Sequence, residues 1–523
     1  MKTVPISIIF GLLLIQPTFA QLWNPNINEQ EFKNPIIYAD YSDPDIIRVG
    51  EDFYMVASSF NCSPGIPVLH SNDLINWKII NYVYDRLPLP NYDKPAHGLG
   101  SWAPSIRFHN GMYFVYFCTP HDGLFMAQTD HPAHKWELNF VEKVDNWEDP
   151  CPIWDEDGQA YLVRSKLCGD ELFLHRISSD GKKILDNGVS IVKDANLPTI
   201  EGPKFMKKDN YYYILAPSGG VPQGWQTALR SKNIYGPYES KIILHQGNSE
   251  INGPHQGGLV ELESGEWWFA HFQDKGLYGR IVHLQAVSWM NDWPMMGIDA
   301  NNDGIGEPVL TSKKPNVGKI YPQELPQTSD EFSSEKLGLQ WQWHANWKEN
   351  WFSLQANPGF MRLNAVKNHS QNGNFWFVPN LLLQKFPAPA FTAKTKVHFN
   401  GELNGDRCGL VIMGKEWAYI ALTKNDQQIE LGVYEGAYQQ CEDLTQVIES
   451  VSAGNTLYLK VDVAEDGLCT FSYSNNDIDY QVLGRKFQAK QGVWIGAKVG
   501  IFCINPNINE SKGSADFDWF KIE

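Results

Sequence analysis

Asp43 in YSDPDIIRVG, Asp149 in WEDPCPIWDEDG and Glu201 in PTIEGPKF are three acids 106 and 52 residues apart, close to two and one steps of about fifty, each opening an apolar run. Brought to one point, three such carboxyls fit the hydrolysis of a glycosidic bond. One, kept protonated, would assist the leaving oxygen, and another, ionised, would activate a water. The third would raise the pKa of the acid by like-charge repulsion, so that it holds its proton near neutral pH. In the inverting form of this chemistry, acid and base stand roughly 6.5 to 9.5 Å apart with the water between them. Taken singly, an Asp before a Pro is more often a turn or cap residue, and Asp155 and Asp157 in DEDG read as turn residues. Glu201 is the most telling of the three. Its context, TIEGPKFM, offers no ion pair or helical reason for an acid at a strand start, and a buried acid needs one.

The elements that must position these acids follow from their spacing. With Trp102 (SWAPSIRF) and His255 (NGPHQGGLVEL) in the same register, the positions are 43, 102, 149, 201 and 255, with steps of 59, 47, 52 and 54 residues. A period of roughly 40 to 50 residues made of short alternating strands marks a β-propeller, each blade a four-stranded antiparallel sheet. The first unit reads as DPDIIRV, DFYMVASS, IPVLHS and WKIIN, parted by the turn signals GE, PG and NDLIN. APSIRF, MYFVYF, LFMAQ and WELNF repeat it, and three further units follow. Five equivalent positions predict five blades. The residue opening each innermost strand then faces a shared funnel, where residues distant in sequence meet.

A single core rarely exceeds roughly 250 to 300 residues, so a chain of 523 residues predicts a second domain. The polar, Pro-containing stretch LTSKKPNVGKIYPQELPQTSDEF places the boundary near 310 to 328, giving a propeller over 21–322 and a second domain over 323–523. Beyond it TAKTKVHF, CGLVIMG, AYIALTK, IELGVYE, LYLKVDV, CTFSYS, VWIGAKVGIF and ADFDWFKIE alternate at period two, as in a β-sandwich. No helix of convincing length is visible, so the expected fold class is all-β throughout. The first twenty residues, MKTVPISIIFGLLLIQPTFA, join a basic Lys2 to an apolar core of about twelve residues and a small residue before Gln21. That is the pattern of a cleaved signal peptide over 1–20 and implies a secreted or periplasmic protein. The core is too short for a membrane span, which needs about twenty residues, and no later segment reads as one.

Without that leader the chain has 42 basic and 60 acidic side chains, net −18. Such a charge argues against nucleic acid or an anionic membrane as partner and suits a neutral glycan. Eight cysteines, at 62, 118, 151, 168, 408, 441, 469 and 503, are too thinly spread for a recognisable framework. Cys151 shares a strand face with Asp149, but a catalytic thiol would need a partner base that the sequence does not offer, so it reads as a packed wall residue.

SDPDIIRVGEDFYMVASSF, SWAPSIRF, EDPCPIWDEDGQAYLV and IEGPKF resemble the blade-opening motifs of glycoside hydrolase family 43, over about residues 30–320. These are the five-bladed propeller β-xylosidases and α-L-arabinofuranosidases. The resemblance implies that Asp43 is the general base, Glu201 the general acid and Asp149 the group that tunes and orients the acid, in a single displacement with inversion. It further implies that Trp102 and Phe60 are sugar platforms, that His255 sits near the funnel floor, and that Arg280 (DKGLYGRIVHLQAV) reaches a substrate hydroxyl or the base. Against the aromatic assignments, a chain with 19 Trp and 27 Phe fills most of its cores with such rings.

No cofactor is called for. A structural calcium ion is left open, whereas His255, without Cys or carboxylate partners at ligand spacing, makes a poor zinc site. The second half is similar to the jelly-roll, concanavalin-like domain that follows the propeller in one branch of the family. In that branch a loop of the second domain helps close the funnel, and Phe502–Asn509 is the expected loop. Trp341, Trp343, Trp347 and Trp351 could instead form an exposed glycan-binding strip, with core packing as the competing account. The expected activity is exo-hydrolysis of hemicellulose oligosaccharides with release of β-linked xylose, and α-linked arabinofuranose is the alternative. A non-catalytic glycan-binding protein is the rival from another class.

Overall fold

A computed structural model describes residues 23–367, 374–438, 446–506 and 511–523 of the chain. The leader expected over 1–20 lies outside the described residues. Five four-stranded antiparallel sheets stand around a central axis, each made of strands consecutive in sequence. The first comprises Asp45–Val49, Asp52–Val56, Gly65–Ser71 and Lys78–Tyr84. The innermost strands of the others are Trp102–His109, Trp147–Trp154, Lys204–Lys208 and His255–Glu261. The GE turn joining the first two strands works because Gly50 takes a φ of 64°, which costs a residue without a side chain nothing.

Burial explains why the middle strands read as unbroken apolar runs rather than clean alternations. Blades pack face to face, so both faces of a middle strand are covered: seven of the eight residues of Met112–Thr119 are buried, whereas the outermost strand of that blade, Glu137–Glu142, has none buried. Val56, Val68, Phe117 and Phe125 fill the layer between the first and second blades, and Ile46, Met55, Ala270 and Leu284 that between the fifth and first. Among the described residues no strand is exchanged to close the ring. Instead the segment before the first blade lies along the last: Ile37 bridges Val282, and the Asn34 side chain donates to the Leu284 carbonyl at 2.9 Å and accepts its N–H at 2.8 Å.

The second domain is a sandwich of two eight-stranded sheets. Phe391–Asn400 alternates buried and half-buried residues along almost its whole length, as a strand with one face on a core must. The expected exposed tryptophan strip is not there. Trp341, Trp343 and Trp351 are 1%, 2% and 3% exposed, and only Trp347 is half-buried. Trp341 packs its edge on Phe520, with its indole N–H on Asp330 at 2.9 Å, while Trp343 meets Trp351 and Phe352. Core packing is therefore the correct account of this cluster. Seven cysteines fall among the described residues, and all are free thiols.

The chain from Gln342 to Asn346 stitches the sandwich to the first blade. Ser63 and Trp343 exchange backbone hydrogen bonds, at 3.1 Å and 2.6 Å, and the Ser63 hydroxyl donates to the Ala345 carbonyl at 2.7 Å. The buried Asn346 amide donates to the Leu87 carbonyl at 2.8 Å and accepts the Leu87 N–H at 2.9 Å. Removing that amide leaves the buried Leu87 N–H unpaired, at roughly 1 to 3 kcal/mol, whereas the Leu87 carbonyl keeps the Leu89 N–H at 2.7 Å. Asn346→Ala is therefore expected to shift urea unfolding, followed by tryptophan fluorescence, to a clearly lower midpoint. An unchanged midpoint would show that the seam contributes little.

Candidate active site

The backbone sets which residues of the five blades are equivalent. Strand pairing places Asp45, Ser105, Cys151, Lys204 and Gly258 opposite Val56, Tyr116, Val163, Leu215 and Ala270. Two residues earlier stand Asp43, Ala103, Asp149, Gly202 and Gln256; one earlier still stand Ser42, Trp102, Glu148, Glu201 and His255. This corrects the expected register, since Trp102, Glu201 and His255 are one residue out of phase with Asp43 and Asp149. In three of the blades a bulge accompanies this offset. The ladder skips between Trp102 and Ser105, between Glu148 and Cys151, and between His255 and Gly257. Asp43, Asp149, Gly202 and Gln256 take φ values of 55°, 55°, 53° and 54°. The left-handed residue breaks the alternation of the strand, so two successive side chains per blade can turn to the funnel. Strain of this kind costs a non-glycine residue about 1 to 3 kcal/mol and persists where its surroundings hold it.

Each acid meets a different environment. The buried Asp43 accepts the Ser58 hydroxyl at 2.6 Å and forms an ion pair with the buried Arg280 guanidinium. Asp149, also buried, accepts the Gly202 N–H at 2.7 Å, with the Gln256 amide at 3.5 Å. Burial first, then the charge of Asp43, pushes its carboxyl above the usual range, against the pull of Lys204, the Gly202 N–H and Arg280. Glu201 keeps part of its surface open. Burial and then Asp149 nevertheless raise its pKa to about 8, opposed by Arg280. His255 donates its Nδ1–H to the Gly253 carbonyl, 2.7 Å away, and packs on Phe272. Burial holds it neutral, with a pKa lowered to about 3.

Trp102 donates its indole N–H to the Gly98 carbonyl at 2.9 Å and meets Phe60 edge-on at 6.3 Å. Pairwise contacts link the expected side chains: Asp43 with Arg280, Arg280 and His255 both against Phe272, Trp102 with Phe60, and Asp149 with the N–H of the residue after Glu201. Among the described residues no group of three or more His, Cys, Asp or Glu side chains is arranged to hold a metal ion. Cys151 is a buried wall residue, its sulfur accepting the Phe205 N–H at 3.2 Å.

Sequence reasoning misplaced one element and missed two residues. VWIGAKVGIF is not one strand: the strand begins at Lys498, and Val493–Ala497 is a loop in which Trp494 takes a φ of 64°. The half-exposed Trp494 ring stands edge-on to Trp102 at 6.3 Å, with the Arg280 guanidinium 5.6 Å from its centre. Of the expected funnel-closing segment, Phe502–Asn505 is buried strand, paired with Arg407–Gly409 on one side over Phe502–Ile504 and with Val366–Lys367 on the other at Ile504 and Asn505, and 507–509 lie outside the described residues. The second missed residue is Glu148, a buried acid equivalent in register to Glu201. Burial, then Asp149 and Glu201, push its carboxyl well up against a hydrogen bond from the Cys168 N–H. Aligning the prolines of SDP, WAP, EDP and EGP would have exposed this second ring of positions.

The family model described as glycosyl hydrolases family 43 matches residues 32–294, and that described as beta xylosidase C-terminal concanavalin A-like domain matches 329–523. A Xylanibacter ruminicola protein provisionally described as a beta-xylosidase is 40% identical, over 93% of this chain and 89% of its own length. A beta-xylosidase of Formosa agariphila is 31% identical over 94% and 90%. A Bacteroides ovatus protein named as a non-reducing end alpha-L-arabinofuranosidase is 28% identical over 95% and 96%. The crystal structure of the GH43 protein BlXynB from Bacillus licheniformis is 26% identical, covers 94% of this chain and 99% of its own, and superposes with a TM-score of 0.81.

The carboxyl of Glu148 predicts a pH signature in stability. Its folded pKa is raised, so the stability tied to its proton is full below the unfolded value of about 4.3 and is lost as pH rises through the folded one. Glu148→Gln cannot ionise and escapes that loss. Its melting temperature is expected to gain on the wild type more at about pH 8.5 than at about pH 5. An equal difference at both pH values would show that Glu148 bears no such load.

Proposed function

Since the chain belongs to glycosyl hydrolase family 43, we propose that it acts as an exo-β-xylosidase. It releases xylose from β-1,4-xylo-oligosaccharides by single displacement with inversion, using a propeller over 21–322 and a sandwich over 323–523. The observation that carries this reading is the unequal setting of the carboxyls. Asp43 is paired with a full positive charge and a hydroxyl, which suits a general base. Glu201 has no cation in contact and a pKa raised to about 8, which suits a general acid. Asp149 contributes to that rise, and it is tied through the Gly202 N–H to the residue next to the acid.

In the reaction Glu201 gives its proton to the glycosidic oxygen as the bond to the anomeric carbon breaks. Asp43 takes a proton from the water whose oxygen bonds that carbon on the opposite face. Proton exchange with solvent then resets both groups. Trp102, Phe60 and Trp494 offer aromatic surface to the C–H face of a pyranose, and Arg280 keeps the base in place.

The names of the two relatives at 40% and 31% identity favour xylose. The Bacteroides ovatus relative supports α-L-arabinofuranosidase activity as the second reading. The export-like segment 1–20 supports a secreted or periplasmic location, where hemicellulose fragments are met.

Hydrolysis of xylotriose, an aryl β-xyloside and an aryl α-arabinofuranoside in parallel tests the reading. Xylose release is expected from the first two; arabinose release alone would move the assignment to the second activity. Asp43→Ala and Glu201→Ala are each expected to lose about 10²- to 10⁴-fold on xylotriose. An activated aryl leaving group needs less protonation, so it should restore Glu201→Ala in part and Asp43→Ala not at all. Equal restoration would contradict the two roles.

The pH profile tests the third carboxyl. Activity should fall as pH rises through the Glu201 value of about 8. Asp149→Asn removes a charge that raises that value, so the alkaline limb should move to lower pH. An unmoved limb would remove Asp149 from the tuning role.

A further inference from the structure

Asp40, three residues before Asp43, is a buried acid that the mechanism above leaves unused. One of its carboxylate oxygens accepts the backbone N–H of Arg280 at 2.9 Å and the Ser42 hydroxyl at 2.8 Å. The other accepts the backbone N–H of Gly496, in the sandwich loop, at 3.0 Å. A single carboxylate thus joins the segment leading to Asp43, the start of the strand bearing Arg280, and the loop that carries Trp494. The approach is close. A Cβ at Gly279 would lie 2.4 Å from the Asp40 carboxyl carbon, and one at Gly496 would lie 2.7 Å from the Gly279 nitrogen. Because both oxygens receive N–H donors, an Asn here would have to turn its NH₂ toward one of them.

We propose that Asp40 is a positioning residue through which the second domain takes part in sugar binding. It fixes the Trp494 ring against Arg280 and so sets the wall on which the sugar rests. This rests on the glycosidase reading of the funnel. A purely structural Asp40 would cost stability and leave sugar binding unchanged.

Steady-state kinetics on an aryl β-xyloside separate the two. Trp494→Ala is expected to raise KM about tenfold, with kcat changed less than about threefold, because it removes binding surface and not chemistry. Asp40→Asn and Gly496→Ala should raise KM by a similar factor. Gly496→Ala leaves every charge in place, so it reports on the loop even where Asp40→Asn folds poorly. In a Trp494→Ala background, Asp40→Asn should add less than about twofold, because the wall it positions is gone. Full multiplication of the two effects, or a lower melting temperature with unchanged KM in both Asp40→Asn and Gly496→Ala, would overturn the proposal. So would a wild-type KM for Trp494→Ala. Glu201→Ala, run alongside on xylotriose, whose leaving group is not activated, distinguishes the layers. Retained turnover there brings down the glycosidase reading, whereas its loss together with unaffected KM in the other variants brings down Asp40 alone.

Discussion

A β-strand shows successive side chains to opposite faces, so consecutive residues cannot ordinarily both reach a central axis. The funnel depends on breaking that rule. A left-handed residue at Asp43, Asp149, Gly202 and Gln256 turns the backbone where the innermost strand begins, in four of the five blades. Asp43 and Asp149 come from the turned position, Glu201 and Glu148 from the one before it. Without that turn, blades three and four would each present one side chain here, and Asp149 and Glu201 could not both face Asp43.

Around that backbone device, charge is distributed with little to spare. Asp43, Asp149, Glu201 and Glu148 crowd one another, and the cations that offset them are few: Arg280 on Asp43, with Lys204 lowering Asp149. The proton on Glu201 is thus held by burial first and then by the charge of Asp149. Arg280 also bridges the two chemistries of the site. Its guanidinium pairs with the carboxylate on one side and lies over the Trp494 ring on the other.

Much of this was legible in the sequence. Five blades, their strand order and the three acids followed from a period and from turn signals, because each blade repeats one local pattern. What escaped depended on three-dimensional context. Glu148 looked like the neighbour of a catalytic Asp, and only a bulge turns it inward. Val493–Ala497 alternates like a strand, yet Gly496 lies against the backbone at Tyr278 and Gly279, and the segment is held as a loop. The tryptophans near 341–351 looked like a surface strip because nothing in a sequence shows that Trp343 will be stitched to Ser63, almost three hundred residues away.

Among the described residues the ring closes without exchanging a strand between its first and last blades, and this matters for how the protein is made. Asp43 comes with the first blade and Arg280 with the fifth, and Trp494 lies near the carboxyl end of the sandwich. Blades of consecutive strands can form in order as the chain leaves the ribosome, each covering the exposed flank of the one before. The aromatic wall is completed only when almost the whole chain has been synthesised and its ends have met. A copy released before Val493 would therefore hold the acids and Arg280 without the Trp494 ring beside them.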